Sequence, residues 1–210
     1  MSKIVLLGNA YVGKTSIINR LMYGTFTNST QSTIGVGYYT VNYVEDDVEY
    51  KMHLFDTCGL EKYNAMCPLY YRGANIILIC YDISDILSYK SVICWIKEIM
   101  ESNITATDSI IYVIANKYDK INDKFEDNIA LCESNKFVHN LSTKYPNIKF
   151  FIVSSKTGSN INDLYESLVQ DTIALHKTKA HTQSENNIVI INDNSVLSTI
   201  KSFFIIKSCY

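Results

Sequence analysis

The segment Gly8-Asn9-Ala10-Tyr11-Val12-Gly13-Lys14-Thr15 constrains this chain more than any other. It has the form G-x-x-x-x-G-K-T and lies between a short apolar run, residues 2–7, and a helical pattern over 14–23. A chain wrapping closely there turns successive backbone N–H groups inward and makes a concave anion site. The helix beginning near Gly13 adds its partial positive N-terminus. Lys14 brings a full charge toward the β- and γ-phosphates of a triphosphate, and Ser16 extends the polar rim. The Thr15 hydroxyl suits Mg2+, a hard cation that takes oxygen ligands. The strand–loop–helix setting makes a chance glycine-rich turn a poor alternative. The loop specifies a nucleoside triphosphate but not its base.

The rest of the chain alternates in the same way. Strands are predicted at 2–7, 37–44, 49–55, 76–82, 110–115 and 148–153, and helices at 14–23, 86–101, 126–144 and 161–176, with a weaker pattern at 63–72. Glu45-Asp46-Asp47 reads as a hairpin turn between the second and third strands. Ile110-Ile111-Tyr112-Val113-Ile114-Ala115 is apolar on both alternations, as a parallel strand covered on both faces should be. The expectation is an α/β domain with a six-stranded, mostly parallel sheet flanked by about five helices. The regular pattern stops near residue 177, which predicts a domain at 1–177 and a tail at 178–210.

Composition narrows the partners. Hydrophobic residues make up 47% of the 210 positions and charged residues 19%, enough apolar side chain for a sizeable core. With 19 Lys and Arg against 21 Asp and Glu, the formal charge is −2, which argues against nucleic-acid binding through bulk positive charge. No apolar stretch approaches the ~18 residues that span a bilayer. The N-terminus runs straight into the phosphate motif, too soon for a signal peptide. The cysteines at 58, 67, 80, 94, 132 and 209 form no Cys-x-x-Cys pair and no zinc-like cluster. A reducing, cytoplasmic compartment fits them.

Asn116-Lys117-Tyr118-Asp119 follows the fifth strand directly. Ligands of open α/β sheets bind outside the carboxyl ends of strands, so this tetrapeptide lies on the phosphate-loop side. A carboxylate at Asp119 accepts both guanine N1–H and the exocyclic amino group, donors that adenine lacks in that arrangement. Asn116 and the Lys117 stem brace the pocket. After the sixth strand, the backbone N–H groups of Ser154-Ser155-Lys156 are expected to meet guanine O6, with the Lys156 stem on the base. Asp56 ends the third strand, where a carboxylate can hold Mg2+ through water and the Gly59 N–H can reach a γ-phosphate; a single Asp after a strand is usually a turn residue, and only the loop and base motifs together raise it.

Taken jointly, these segments resemble the small Ras-like GTPases, and within them the Rab family, over roughly residues 2–176. Thr33-Ile34-Gly35-Val36 and Asp56-Thr57-Cys58-Gly59-Leu60-Glu61 belong to the resemblance. Tyr70-Tyr71-Arg72-Gly73-Ala74 matches a Rab hallmark word for word. The resemblance implies a P-loop NTPase of the small G-domain type that binds GTP or GDP with Mg2+. It implies a metal set of Thr15, Thr33 and Asp56, and a switch whose Thr33 and Gly59 regions sense the γ-phosphate. It places Phe26 against the guanine, although a buried core Phe is the other reading. It makes Tyr38, Phe55 and Tyr70 an aromatic triad read by effectors, although ordinary sheet packing would also use them. The implied output is vesicle trafficking by a monomer that meets effectors, an exchange factor and a GTPase-activating protein.

Several positions depart from the pattern. Leu60 stands where the family's catalytic Gln orients the attacking water, so intrinsic GTP hydrolysis is expected to be slow unless a partner supplies both a Gln and an Arg. Tyr11 replaces a glycine and Asn9 an Asp. If position 11 needs a positive φ, Tyr there is strained; if not, its ring lies over the phosphates. Gly37 replaces an Asp, and Phe55 a Trp. The chain ends with the single Cys209 rather than a Cys pair, so Cys209 is the candidate lipidation site. Upstream, Val196, Leu197, Ile200, Phe203 and Phe204 form a helical apolar face that suits either a membrane surface or docking on protein. A GTP-bound or nucleotide-insensitive scaffold of the same fold is the runner-up function. An ATP-dependent kinase is opposed by Asn116–Asp119.

Overall fold

The structure is a computed structural model that describes residues 1–28, 33, 35–59, 67–101, 109–121 and 147–192. Among the described residues six strands make one sheet: β1 (Ser2–Leu7), β2 (Val36–Glu45), β3 (Val48–Thr57), β4 (Ile76–Asp82), β5 (Ile110–Asn116) and β6 (Ile148–Ile152). Among the described residues the α-helices are α1 (Lys14–Tyr23), α2 (Cys67–Tyr71), α3 (Ile86–Glu101) and α4 (Ile161–Asn192), with a 3-10 turn at Tyr118–Lys120. The spatial order is β2-β3-β1-β4-β5-β6, and every neighbouring pair is parallel except β2 with β3. The α/β architecture read from the sequence is therefore correct. The helix expected at 126–144 lies outside the described residues, as do 63–66 of the weaker pattern, whose remainder contains α2.

Burial explains the parallel arrangement. All seven residues of β4 are buried, so both faces of the sheet are covered there. On one face Val5, Leu7, Ile77, Ile79 and Val113 pack in a cluster with Val92, Ile96 and Ile99 of α3. The alternate residues Ile4, Leu6, Leu78 and Ile114 are equally buried and point the other way, as the period of two requires. The β2–β3 hairpin turns through Asp46 and Asp47, with φ of 51° and 59°, while Glu45 pairs with Val48. Two left-handed residues give such a turn the twist its strands need.

Helix α4 runs sixteen residues beyond the expected end at 176. Residues 161–192 contain neither Pro nor Gly, so nothing local stops it. The chain divides into two compact units, Met1–Thr172 and Ile173–Tyr210. Among the described residues no helix is long and apolar enough to cross a membrane.

Register aligns the carboxyl ends of the parallel strands at one edge. Leu6 lies opposite Asp56, Leu7 opposite Ile79, and Asp82 opposite Asn116. Strand β1 has β3 on one side and β4 on the other, so the chain winds away from it in both directions. A crevice forms at such a switch point.

Candidate functional site

A cavity of about 410 Å3 opens at that edge. Ala10, Tyr11, Gly13, Lys14, Thr15 and Ser16 form its phosphate-loop wall. Gly13 has φ 96°, and a Cβ there would lie 2.4 Å from Asn116 Nδ2, so no other residue fits. Tyr11 adopts φ 64° and is 74% exposed. This decides between the two expectations for Tyr11: the backbone carries the strain of a left-handed non-glycine residue, and the ring stands on the rim in solvent. Lys14 is only 6% exposed, and its Nζ donates at 2.8 Å to each of the Gly8 and Asn9 carbonyls. The Asn9 amide turns away and donates to Ser91 Oγ on α3 at 2.9 Å. Val12 is buried. Gly8, Asn9 and Val12 thus shape the wall from behind.

The end of β3 meets this loop backbone to backbone. A Cβ on Gly59 would fall 2.4 Å from Ala10 N and from the Asn9 carbonyl group. Beside it Thr15 Oγ1 donates to Asp56 Oδ2 at 2.6 Å and lies 2.9 Å from Thr33 Oγ1. Because a hydroxyl has one proton, Thr33 is the donor in the second bond. Asp56 is 1% exposed, and its Oδ1 is buried without a hydrogen-bond partner among the described residues. Burial raises the Asp56 pKa; the Thr15 hydrogen bond, the Lys14 charge and the Thr33 hydrogen bond oppose that. A dehydrated carboxylate with an idle oxygen beside two hydroxyls is a hard donor set. Its chemistry fits a divalent cation such as Mg2+.

The other half of the cavity is lined by Phe26, Lys117, Asp119, Ser155 and Lys156. Phe26 is half-buried on this wall and not in the core. Asn116 is fully buried and stitches the halves together: Nδ2 donates to Val12 O at 2.9 Å, and Oδ1 accepts from Ser155 N at 3.0 Å. Ser154 is buried, and its Oγ donates to Asp119 Oδ1 at 2.5 Å; Lys156 Nζ lies 3.9 Å from Asp119 Oδ2. One expectation needs correction. The Ser154 and Ser155 N–H groups are not free for a base, because they donate to Ser159 O at 3.1 Å and to Asn116 Oδ1. The Ser154 N–H closes the bend that presents Ser155 and Lys156, and the Ser155 N–H ties that bend to the Asn116 loop.

Sequence reasoning missed several residues. Thr27, Asn28, Thr57 and Lys120 also line the cavity. Arg20, in the last turn of α1, donates Nε to Ser155 O at 2.9 Å and Nη2 to Lys156 O at 2.6 Å. Its Nη1 donates to Gly24 O at 2.5 Å, so one guanidinium ties three carbonyls. A basic residue near a helix C-terminus was the only local signal. Asp82, 7% exposed, sits beneath Lys117 and Lys120. Burial alone would raise its carboxyl, but hydrogen bonds from Ser84, Lys120 and Lys117 prevail and hold it at about 2.

Away from the cavity, Tyr38 is 57% exposed and opposite Phe55 in the β2–β3 register, with the rings edge to face at 5.2 Å. Tyr38 also stacks on His53 and hydrogen-bonds to its Nδ1. Phe55 and Tyr70 are half-buried against the α3-side core. Leu60, Glu61 and Cys209 lie outside the described residues.

Comparison with known proteins agrees with this geometry. A family model described as "Ras family" matches residues 3–174. The chain is 29% identical over 203 residues to the GTP-binding protein YPT53 of Saccharomyces cerevisiae, covering 94% of this chain and 90% of that protein. It is 31% identical over 170 residues to the GTP-binding protein ypt5 of Schizosaccharomyces pombe, covering 80% and 76% respectively. With the strand order, the phosphate loop and these likenesses together, the chain belongs to the Ras family as a small GTPase of the Rab type.

Proposed function

We propose that this chain is a guanine-nucleotide switch of intracellular vesicle transport that turns GTP over slowly. The convergence of Thr15, Thr33 and the idle Asp56 oxygen at the mouth of the phosphate loop is the observation that carries it. The two relatives named as GTP-binding proteins support the same reading.

Each residue has a physical task. Gly8 to Ser16 wrap the phosphates, and Lys14 neutralises the β/γ end. Thr15, Thr33 and Asp56 would hold Mg2+, which when bound neutralises charge on the phosphate oxygens. Asp119 reads the donor edge of guanine, Phe26 and the Lys117 and Lys156 stems flank the ring, and Asn116 with Ser154 and Ser155 keeps those groups in place. Thr33 and Gly59 belong to the segments that answer to the γ-phosphate. Tyr38, Phe55 and Tyr70 present the state to effectors, and an exchange factor and a GTPase-activating protein act on the cycle.

Positioning of the water supplies much of the hydrolytic rate, and Leu60 has no hydrogen-bonding group with which to do it. Restoring glutamine tests this. Leu60→Gln should raise single-turnover GTP hydrolysis at least about tenfold. No change, with wild-type hydrolysis as fast as an ordinary Rab, would remove Leu60 from the mechanism. The scaffold alternative predicts equal partner capture from the GDP-loaded and GTP-analogue-loaded protein, whereas the switch predicts capture by one state. Action at the cytosolic face of membranes through the 178–210 tail and lipidation at Cys209 is tested by liposome flotation of the full chain against one truncated after Lys177.

A further inference from the structure

The carboxylate of Asp82 is the least expected feature near the cavity, because it does not line it. Its Oδ1 accepts from Ser84 N at 3.0 Å and from Ser84 Oγ at 2.6 Å. Its Oδ2 lies 2.9 Å from the ammonium groups of both Lys117 and Lys120. Lys117 Nζ has a second partner, the Tyr11 carbonyl, at 2.5 Å. Both ends of that contact are left-handed backbone, φ 66° at Lys117 and φ 64° at Tyr11. Two strained loops, 106 residues apart in sequence, are therefore joined through one ammonium group. Asp82 and Asn116 are register partners, and Ile83 N donates to Asn116 O at 3.0 Å, so the carboxylate is carried on the rigid ends of two core strands.

We propose that Asp82 is a positioning residue for the bound nucleotide. It fixes Lys117 in the pose that holds the Tyr11 carbonyl, so that the base loop and the phosphate loop are set as one piece. The inference rests on the guanine-nucleotide reading of the cavity. Two like charges, Lys117 and Lys120, would repel if they stood on the cavity wall without a shared counter-charge. Asp82 lets both remain there. A side chain held on one oxygen and one carbonyl keeps few rotamers, which is what a preorganised contact requires.

The test is a double-mutant cycle read as the rate of release of a fluorescent GDP analogue, with thermal unfolding of the loaded protein measured alongside. Asp82→Asn keeps the shape and removes the charge. It should speed release about tenfold to a hundredfold, the range for losing a hydrogen bond between charged groups. Lys117→Met should cost a similar factor. If Asp82 acts through Lys117, then D82N adds less than about twofold on the K117M background. A multiplied penalty in the double variant would mean that Asp82 serves the fold generally, and the proposal would fall. Asp82→Glu runs the same cycle should D82N not fold, since it keeps the charge and moves the oxygens by one methylene. Failure of the wild-type protein to retain GDP at all would instead refute the reading of the cavity, before any variant is compared.

Discussion

Replacing Asn116 by alanine probes the joint between the two halves of the cavity. The side chain is fully buried, and its two hydrogen bonds, to Val12 O and from Ser155 N, are both within 3.0 Å. Alanine leaves that carbonyl and that N–H without partners in the interior. Each orphaned group costs about 1–3 kcal/mol, so the loss is about 2–6 kcal/mol before any relaxation. Small domains are stable by about 5–15 kcal/mol, so the variant approaches the threshold of unfolding. Asn116→Asp is the informative companion. It still accepts from Ser155 N but sets a second acceptor against the Val12 carbonyl, so it should be at least as damaging. Urea unfolding of both variants, loaded with saturating GDP, measures the loss as a shift in midpoint at constant slope. Saturation itself adds about 2.7 kcal/mol at a hundredfold excess over Kd, so GDP must be fixed relative to each variant's own Kd. If both variants lay within about 1 kcal/mol of wild type, the stitch would not be holding the loops, and the geometric account of the cavity would fail.

Other outcomes follow from the same geometry. Arg20→Ala should speed nucleotide release several-fold by freeing the Ser155–Lys156 carbonyls, and Arg20→Lys should not restore it, since a single ammonium cannot reach three carbonyls; stopped-flow release distinguishes them. The Asp56 carboxyl titrates above its ordinary value, so its burial penalises folding above that raised pKa and the penalty fades as pH falls through it. Mg2+ uptake should therefore release protons as pH is lowered toward the Asp56 pKa, and Asp56→Asn should abolish this in calorimetry repeated in buffers of different ionisation enthalpy. Asp82 has the opposite sign: lowered from 3.8 to about 2, it contributes stability above pH 3.8 that is lost as pH falls through 2, so D82N should flatten acid unfolding across that window.

The fold was legible because its signals are local. An apolar run as short as that in Ile76–Asp82 reads by its length as a covered strand, and G-x-x-x-x-G-K-T after a strand dictates the turn that follows it. Glu45-Asp46-Asp47 read as a turn for the same reason, and the structure makes the turn from the last two while Glu45 ends β2. Lys14 and Asp119 could be placed at the cavity because each belongs to a short motif at a strand end, whereas Asp56 was raised only by those two motifs together. Arg20 and Asp82 were not, because their partners are distant in the chain and only register brings them together. The left-handed backbone of Tyr11 was left open because tyrosine carries no signal for positive φ, as glycine does. The partners of the Ser154 and Ser155 N–H groups were not legible, because one lies at the far side of the loop's own bend and the other is a side chain 39 residues away.

Asn116 receives its second partner only from Ser155, and Arg20 reaches 135 residues ahead to the same loop. During synthesis, then, a nascent chain halted before β6 lacks the wall of the base pocket, however long it waits. Ligand capture becomes a late event that reports a finished sheet, and pairings this distant in sequence make the approach to it slow.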